Sequence, residues 1–212
     1  MPPRQPAPGE NDARTRLLEA TLRVVRVQGY SGTRVDDICA AAGLSKGAFF
    51  HHFASKEALA VAAADYWSRK TGALFAAAPY HRPQDPLQRV LAYVRFRREL
   101  LRGRLPEFTC LVGTMVQETY ETSPAIRAAC GASITGHART LVKDIAAARR
   151  KYAPHADWSA ESLALHTQAV IQGAFILAKA TYGVRLAEDS IDHLERYIRL
   201  LMNKQETNHA SH

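Results

Sequence analysis

The chain has 212 residues, 47% of them hydrophobic, with a formal charge of +8 and a pI near 9.6. That length can bury a sizeable core in one large or two smaller domains, and the composition is that of a soluble globular protein rather than a disordered one. Three cysteines, Cys39, Cys110 and Cys130, show no C-x-x-C or metal-ligand spacing, which excludes a disulfide framework and suggests reduced thiols in a cytoplasm. The positive charge suits a polyanionic partner, yet residues 1–70 hold ten Lys/Arg against seven Asp/Glu. Any nucleic-acid contact in that part must therefore come from placed charges rather than bulk charge.

Residues 1–11, MPPRQPAPGEN, are proline-rich and have no apolar core, so they read as a disordered N-terminal arm and not as a signal peptide. Arg4 could enter a minor groove, with a solvated tail as the plainer reading. A first helix is predicted over 12–28, where Leu17, Leu18, Thr21, Leu22, Val24 and Val25 recur at helical spacing and Gly29 ends the run.

The stretch TRVDDICAAAGLSKGAFFHHF, residues 33–53, reads as two short helices and a tight turn. Thr33 and Asp36 form a Thr-x-x-Asp capping-box pattern, and Gly43 sits where the chain must turn. Ser45 caps the second helix, with Leu44 and Phe49 at the staple positions. Cys39, Gly43 and Phe49 supply a small contact, a turn and an apolar plug, the pattern that lets two helices cross closely. An ordinary helical hairpin would share the apolar pattern. The double caps and the chemistry of the second helix point instead to a helix-turn-helix with a recognition helix over 45–52. Lys46, His51 and His52 can meet phosphates, while Gly47 and Ala48 allow close approach to base edges.

Residues 12–60 resemble the DNA-binding domain of the TetR family of bacterial transcriptional regulators. The matching residues are Gly29-Tyr30, Thr33, Ile38, Ala41, Gly43, Leu44-Ser45-Lys46-Gly47, Phe50, His52-Phe53 and Lys56-Glu57-Ala58-Leu59. About a quarter of the chain carries the resemblance strongly. The family usually has a tyrosine where this chain has Phe50, which lacks the hydroxyl that would reach a DNA phosphate. The resemblance implies DNA contacts from Thr33, Arg34, Ser45, Lys46, Gly47, Ala48, Phe50, His51, His52 and Lys56.

Ser55 is the expected N-cap of a long fourth helix reaching about residue 77, with Lys56 beside exposed N–H groups that can take a phosphate. Pro79 and Pro83 stop it, and Asp85-Pro86 restarts a helix whose buried stripe is Leu87, Val90, Leu91 and Val94. Residues 82–104 contain seven arginines against Asp85 and Glu99, read as a solvated face, with DNA flank or an anionic ligand as alternatives. Further helices are expected over about 106–121 and over 124–152, the latter interrupted at Gly131 and Gly136. GASITG there is not a nucleophile elbow, because its second glycine comes one residue late and no strand precedes it. Ser159 caps a helix with no charge between residues 162 and 178. Its polar residues His166, Thr167, Gln168 and Gln172 argue against a membrane span, and burial on several sides predicts a second subunit. His166 reads as a core histidine. A last helix over about 189–203 would complete a four-helix dimer interface, and 205–212 reads as a frayed tail.

The expected architecture is all-α, about nine helices, with a three-helix head over 12–54 and a helical-bundle ligand and dimerisation domain over 55–204. By resemblance the protein is a homodimeric cytoplasmic regulator, most often a repressor. It binds an inverted-repeat operator in double-stranded DNA and is released by a small-molecule effector. No cofactor, metal site or membrane partner is implied. The rival is a helical small-molecule carrier or cofactor-independent enzyme, which lacks any Ser/His/Asp, metal or phosphate-loop signature here. Pocket candidates are Trp67, Phe96, Phe108, Cys110, Met115, Tyr120, Phe175 and Lys179, each equally suited to a core. If Lys179 packs beside Cys110, it would favour the thiolate and make Cys110 a redox or electrophile sensor.

Overall fold

The computed structural model describes residues 10–203. Residues 1–9 of the expected arm and the tail over 205–212 lie outside the described residues. The described chain is ten α-helices without a strand: α1 (Glu10–Gln28), α2 (Val35–Ala42), α3 (Lys46–His52), α4 (Lys56–Ala76), α5 (Pro86–Glu99), α6 (Leu105–Phe108), α7 (Leu111–Thr119), α8 (Pro124–Tyr152), α9 (Ala160–Thr181) and α10 (Arg185–Asn203). A short 3-10 turn, Pro79–His81, follows α4. None of these helices is long and apolar enough to cross a membrane. The chain forms two compact units, one of residues up to Thr71 with Thr109–Ser133, the other of Gly72–Phe108 with the chain from Ile134 onward.

The first unit is built on an apolar cluster that α1, α2 and α3 share. Leu17, Leu18, Leu22 and Val25 of α1 close over Ile38 and Cys39 of α2 and Phe49 of α3, all at 5% exposure or less, and Phe53 is buried with them. The turn after Gln28 is fixed from two sides. Glu118, near the end of α7, accepts hydrogen bonds from the N–H groups of Tyr30 (3.1 Å) and Ser31 (2.7 Å). Lys56 donates to the carbonyls of Tyr30 (3.0 Å) and Thr33 (2.8 Å). Gly29 has φ +81°, a conformation that favours glycine, and a Cβ there would stand 2.6 Å from the Glu118 carboxylate and displace it from the turn.

In the second unit α9 and α10 pack as a hairpin, with α5 against α10. Ala187, Ile191, Leu194, Ile198 and Met202 of α10 are buried, as are Val90, Leu91, Tyr93 and Val94 of α5. The basic face of α5 is largely neutralised within the unit. Arg89 pairs with Asp144 (2.7 Å), Arg95 with Glu195 (2.8 Å) and Arg98 with Asp192 (2.8 Å). Asp85 caps α5 through the Gln88 N–H (3.0 Å) and receives Lys151 (2.7 Å) and the Tyr152 hydroxyl (2.5 Å).

Several element limits differ from the sequence reading. α1 begins at Glu10, inside the expected arm, and α10 begins at Arg185 rather than near 189. The helix expected over 106–121 is two, because Cys110 is extended (φ −83°, ψ 123°) and its sulfur accepts the Gly113 N–H at 3.4 Å, starting a new helix. α8 runs unbroken through Gly131 and Gly136, since a helix of 29 residues absorbs the roughly 1 kcal/mol that each glycine costs. The cap of α2 is Arg34, not Thr33: Asp37 accepts the Arg34 N–H (2.8 Å), while the Thr33 hydroxyl turns back to the Gly29 carbonyl.

The Asp85 carboxyl is held well below the usual carboxylate range, first by its hydrogen bond from Lys151 and then by that from Tyr152. A depressed native pKa gives stability that is present above the unfolded value, near pH 4, and is lost as pH falls below it. Melting temperatures measured from pH 7 to pH 3 should fall less for Asp85→Asn than for the parent. Parallel curves would show that the pair is too solvated to matter.

Candidate nucleic-acid interface

The turn between α2 and α3 is set by backbone geometry. Gly43 takes φ 63°, and the bonds Leu44 N–H to Cys39 O (2.9 Å) and Gly43 N–H to Ala40 O (3.1 Å) are the paired bonds of a Schellman end. Arg16 of α1 donates to Ala42 O (2.7 and 3.1 Å) and Gly43 O (3.1 Å), placing a guanidinium on the negative end of α2. The Cys39 thiol donates weakly to Ser45 O at 3.8 Å, the tight crossing expected of a small residue there. Ser45 then caps α3 by accepting the Ala48 N–H at 3.1 Å.

α3 buries Phe49 and turns the rest of its surface outward. Arg34, Ser45, Lys46, Gly47, Phe50 and His51 are exposed, Ala48 and His52 half-buried. Phe50 is 57% exposed, an unusual position for a phenylalanine unless something else covers it. Lys46 forms an open ion pair with Asp36 at 2.9 Å, worth little in solvent and readily exchanged for a phosphate.

Two residues from the expected contact set are placed differently. Thr33 is 1% exposed and spends its hydroxyl on Gly29 O, so its side chain is structural. Lys56 has its ammonium on the Tyr30 and Thr33 carbonyls and 4.2 Å from the Tyr30 ring centroid. Burial lowers its pKa below the ordinary lysine value. It braces the α1–α2 turn rather than reaching outward. Arg16 and Glu118 were missed by sequence reasoning. Each acts on backbone groups far along the chain, which leaves no local pattern.

The pocket candidates are divided between the units. In the first unit Met115 is fully buried core, Tyr120 is 55% exposed, Cys110 caps α7, and Arg26 stacks over Trp67 at 5.1 Å. In the second, Phe108 lies 6.3 Å from Phe175, and Phe96 lies 5.7 Å from Phe75, while Lys179 is exposed. His166 is also exposed, 5.1 Å from the Tyr197 ring, not in the core as expected. Cys130 is a buried thiol pushed up to about 12, by burial first and Cys110 second. Among the described residues no group of three His, Cys, Asp or Glu could hold a metal ion.

A capped, outward-facing second helix braced by a first helix defines a helix-turn-helix DNA-binding protein. The comparisons agree. The family model "Bacterial regulatory proteins, tetR family" matches residues 17–63, and "Transcriptional regulator LmrA/YxaF-like, C-terminal domain" matches 86–184. The chain belongs to the TetR family of transcriptional regulators, which are non-enzymatic transcription factors. It is 30% identical over 123 residues to the transcriptional regulator AcuR of Cereibacter sphaeroides, covering 58% of this chain and 56% of that one. It is 51% identical over 45 residues to the transcriptional repressor DhaR of a Mycobacterium species, covering 21% and 23%. The chain thus spans less than two thirds of the length of either relative. The solved TetR regulator of Chloroflexus aurantiacus superposes with a TM-score of 0.76 at 28% identity, covering 91% of this chain and 97% of that one.

Two tests follow from this geometry. A Cβ on Gly47 would make only ordinary contact, 3.6 Å from Ser45 Oγ, so the fold does not require glycine there. Gly47→Ala should therefore stabilise the protein by up to about 1 kcal/mol while weakening DNA binding; unchanged affinity would show that DNA does not approach this point. Lys56→Gln should cost about 1–3 kcal/mol in denaturant unfolding and leave the salt dependence of DNA affinity unchanged. Full stability with a salt slope shallower by about one would return Lys56 to phosphate binding.

Proposed function

We propose that the chain is a homodimeric repressor that binds an inverted-repeat operator and is released by a small-molecule effector. The observation that carries it is α3, capped at Ser45, anchored by Phe49 and exposing Lys46, Gly47, Phe50 and His51 on one outward surface. Lys46 and His51 take phosphates, Gly47 and Ala48 admit base edges, and Phe50 packs on sugar or a thymine methyl. The likeness to DhaR, a repressor, supports the sign of regulation. Residues 12–54 form the DNA-binding part and residues 55–204 the effector and dimerisation part, in a cytoplasmic protein.

Dimerisation is supported by the outer face of the α9–α10 hairpin. Leu165, Ile176 and Leu177 of α9 and Tyr197 and Leu200 of α10 are each at least 43% exposed. Gly173 on α9 has open space where a Cβ would stand, so another helix can come close. Pairing two such hairpins gives a four-helix interface, and the two-fold axis sets recognition helices roughly 34–36 Å apart on DNA. Effector binding then favours a conformation in which α4 has swung and the two recognition helices no longer match successive grooves.

Thiol modification is a second route to release. Cys110 is half-buried, and its sulfur accepts the Gly113 N–H at 3.4 Å at the start of α7. The observation that supports this route is the Cys110 cap on α7. Operator affinity that responds to mild peroxide in the parent and not in Cys110→Ser would support this route, and equal responses would remove it.

The main test is genomic selection followed by sedimentation. Inverted half-sites should emerge, and Leu177→Asp should give a monomer whose operator affinity falls by about 100-fold or more. Single unrepeated sites bound by a monomeric parent would overturn the reading. Phe50→Tyr should tighten binding by about 3–10-fold by supplying a phosphate hydrogen bond; a loss would show that the ring packs on an apolar surface instead.

A further inference from the structure

The second unit contains a cationic aromatic cluster that the DNA-binding reading does not use. Arg97 lies one helical turn after Tyr93 on α5, and its guanidinium carbon sits 5.2 Å from the Phe75 ring and 5.7 Å from the Phe175 ring. The Tyr93 hydroxyl lies 2.8 Å from His137 Nε2 and accepts from Gln168 Nε2 at 3.0 Å. Gln168 can only donate to this oxygen, so Tyr93 gives its own proton to His137 Nε2, and the neutral ring carries its remaining proton on Nδ1.

Arg97 differs from its neighbours on α5. Arg89, Arg95 and Arg98 each hold a carboxylate, whereas among the described residues no carboxylate pairs with Arg97. Its guanidinium carbon lies over two aromatic rings, which attract the positive charge but accept no in-plane N–H. His137 Nδ1 likewise has no hydrogen-bond partner among the described residues. Arg97 and His137 are half-buried while Tyr93, Phe75, Phe175 and Gln168 are buried, so the two residues of the cluster that solvent still reaches are the arginine and the histidine. Burial, with Arg97 adding to it, pushes His137 down to about 4, so at neutral pH the cluster carries the single positive charge of Arg97.

We propose that this cluster is the effector site, and that its ligand is a small carboxylate with an apolar or aromatic body. The carboxylate takes the two-pronged edge of Arg97 and the His137 N–H, and the body lies against Phe75 and Phe175. A neutral analogue of the same shape would leave the guanidinium unpaired and be rejected. The proposal rests on the effector-responsive reading above and narrows it to one ligand class.

The test is calorimetry on the full chain without DNA, using benzoate, phenylacetate and octanoate, each against its amide. At least one acid should bind about tenfold or more tightly than its amide, a preference of the size one charge-assisted hydrogen-bond pair supplies. Arg97→Met, which keeps much of the apolar stem, should abolish the preference. Should that variant fail to fold, Arg97→Lys keeps the charge without the planar fork and should reduce the ratio of acid to amide affinity. No preference in any pair, or a preference that survives both substitutions, overturns the site. Operator binding by the ligand-free parent is measured separately, so loss of the DNA reading is distinguished from loss of this one. An acid that binds through Arg97 and lowers operator affinity supports both, whereas one that binds without changing operator affinity overturns the effector role.

Discussion

Arg16 donates three hydrogen bonds into the carbonyl end of α2, and the direction in which α3 leaves the turn depends on that contact. The last carbonyls of a helix have no partner within it, and a turn of two or three residues cannot supply enough of them. Here Gly43 and Leu44 bond back to Ala40 and Cys39, and α1 satisfies Ala42 and Gly43 through the guanidinium. Because the same α1 buries Leu17, Leu18 and Leu22 against Ile38 and Phe49, polar and apolar contacts fix one crossing of the two helices. The exposed surface of α3 is therefore presented by a rigid base, as a reader of base edges requires.

The α1–α2 turn illustrates how charge is used inside this head. Glu118 takes the N–H groups of Tyr30 and Ser31, and Lys56 takes the carbonyls of Tyr30 and Thr33, so both polar edges of one turn are bound by charged side chains. Such bonds are about twice as strong as neutral ones. They tie the turn to α7 and α4 within the first unit, and α7 starts at the Cys110 cap. A shift of α7 would move Glu118 and the turn with it, which gives a physical path from the helix that carries the thiol to the helix that braces the reader.

The second unit uses its arginines differently. Three on α5 are fixed by carboxylates from α8 and α10 and hold the helices together. Arg97 faces aromatic rings instead, and among the described residues no carboxylate pairs with it. Stacking satisfies the faces of a guanidinium and not its edge. A structure that neutralises its other α5 arginines and leaves this one open has placed a specific recognition element beside an apolar surface.

The local parts of this protein were legible from its sequence because each is written within a few residues. The Ser45 cap, the Gly43 turn, Asp85 before Pro86, and the burial of Phe49 and Phe53 all depend on spacings shorter than two helical turns. So did the all-α class, since no alternating apolar pattern competes with the helical one. Limits failed where a competing local bond won: Asp37 moved the α2 cap to Arg34, and the Cys110 sulfur opened a new helix where a continuous one was expected. Roles that depend on distant partners were decided by the tertiary structure alone. Lys56 became a brace because two carbonyls lie more than twenty residues before it, and Glu118 found its N–H groups almost ninety residues away. The sequence showed seven arginines between residues 82 and 104 and could not say which of the four on α5 would be left without a carboxylate. That difference exists only once α8 and α10 have brought Asp144, Asp192 and Glu195 to Arg89, Arg98 and Arg95, because these charges are neutralised by what is near them in space and not by what is near them in the chain.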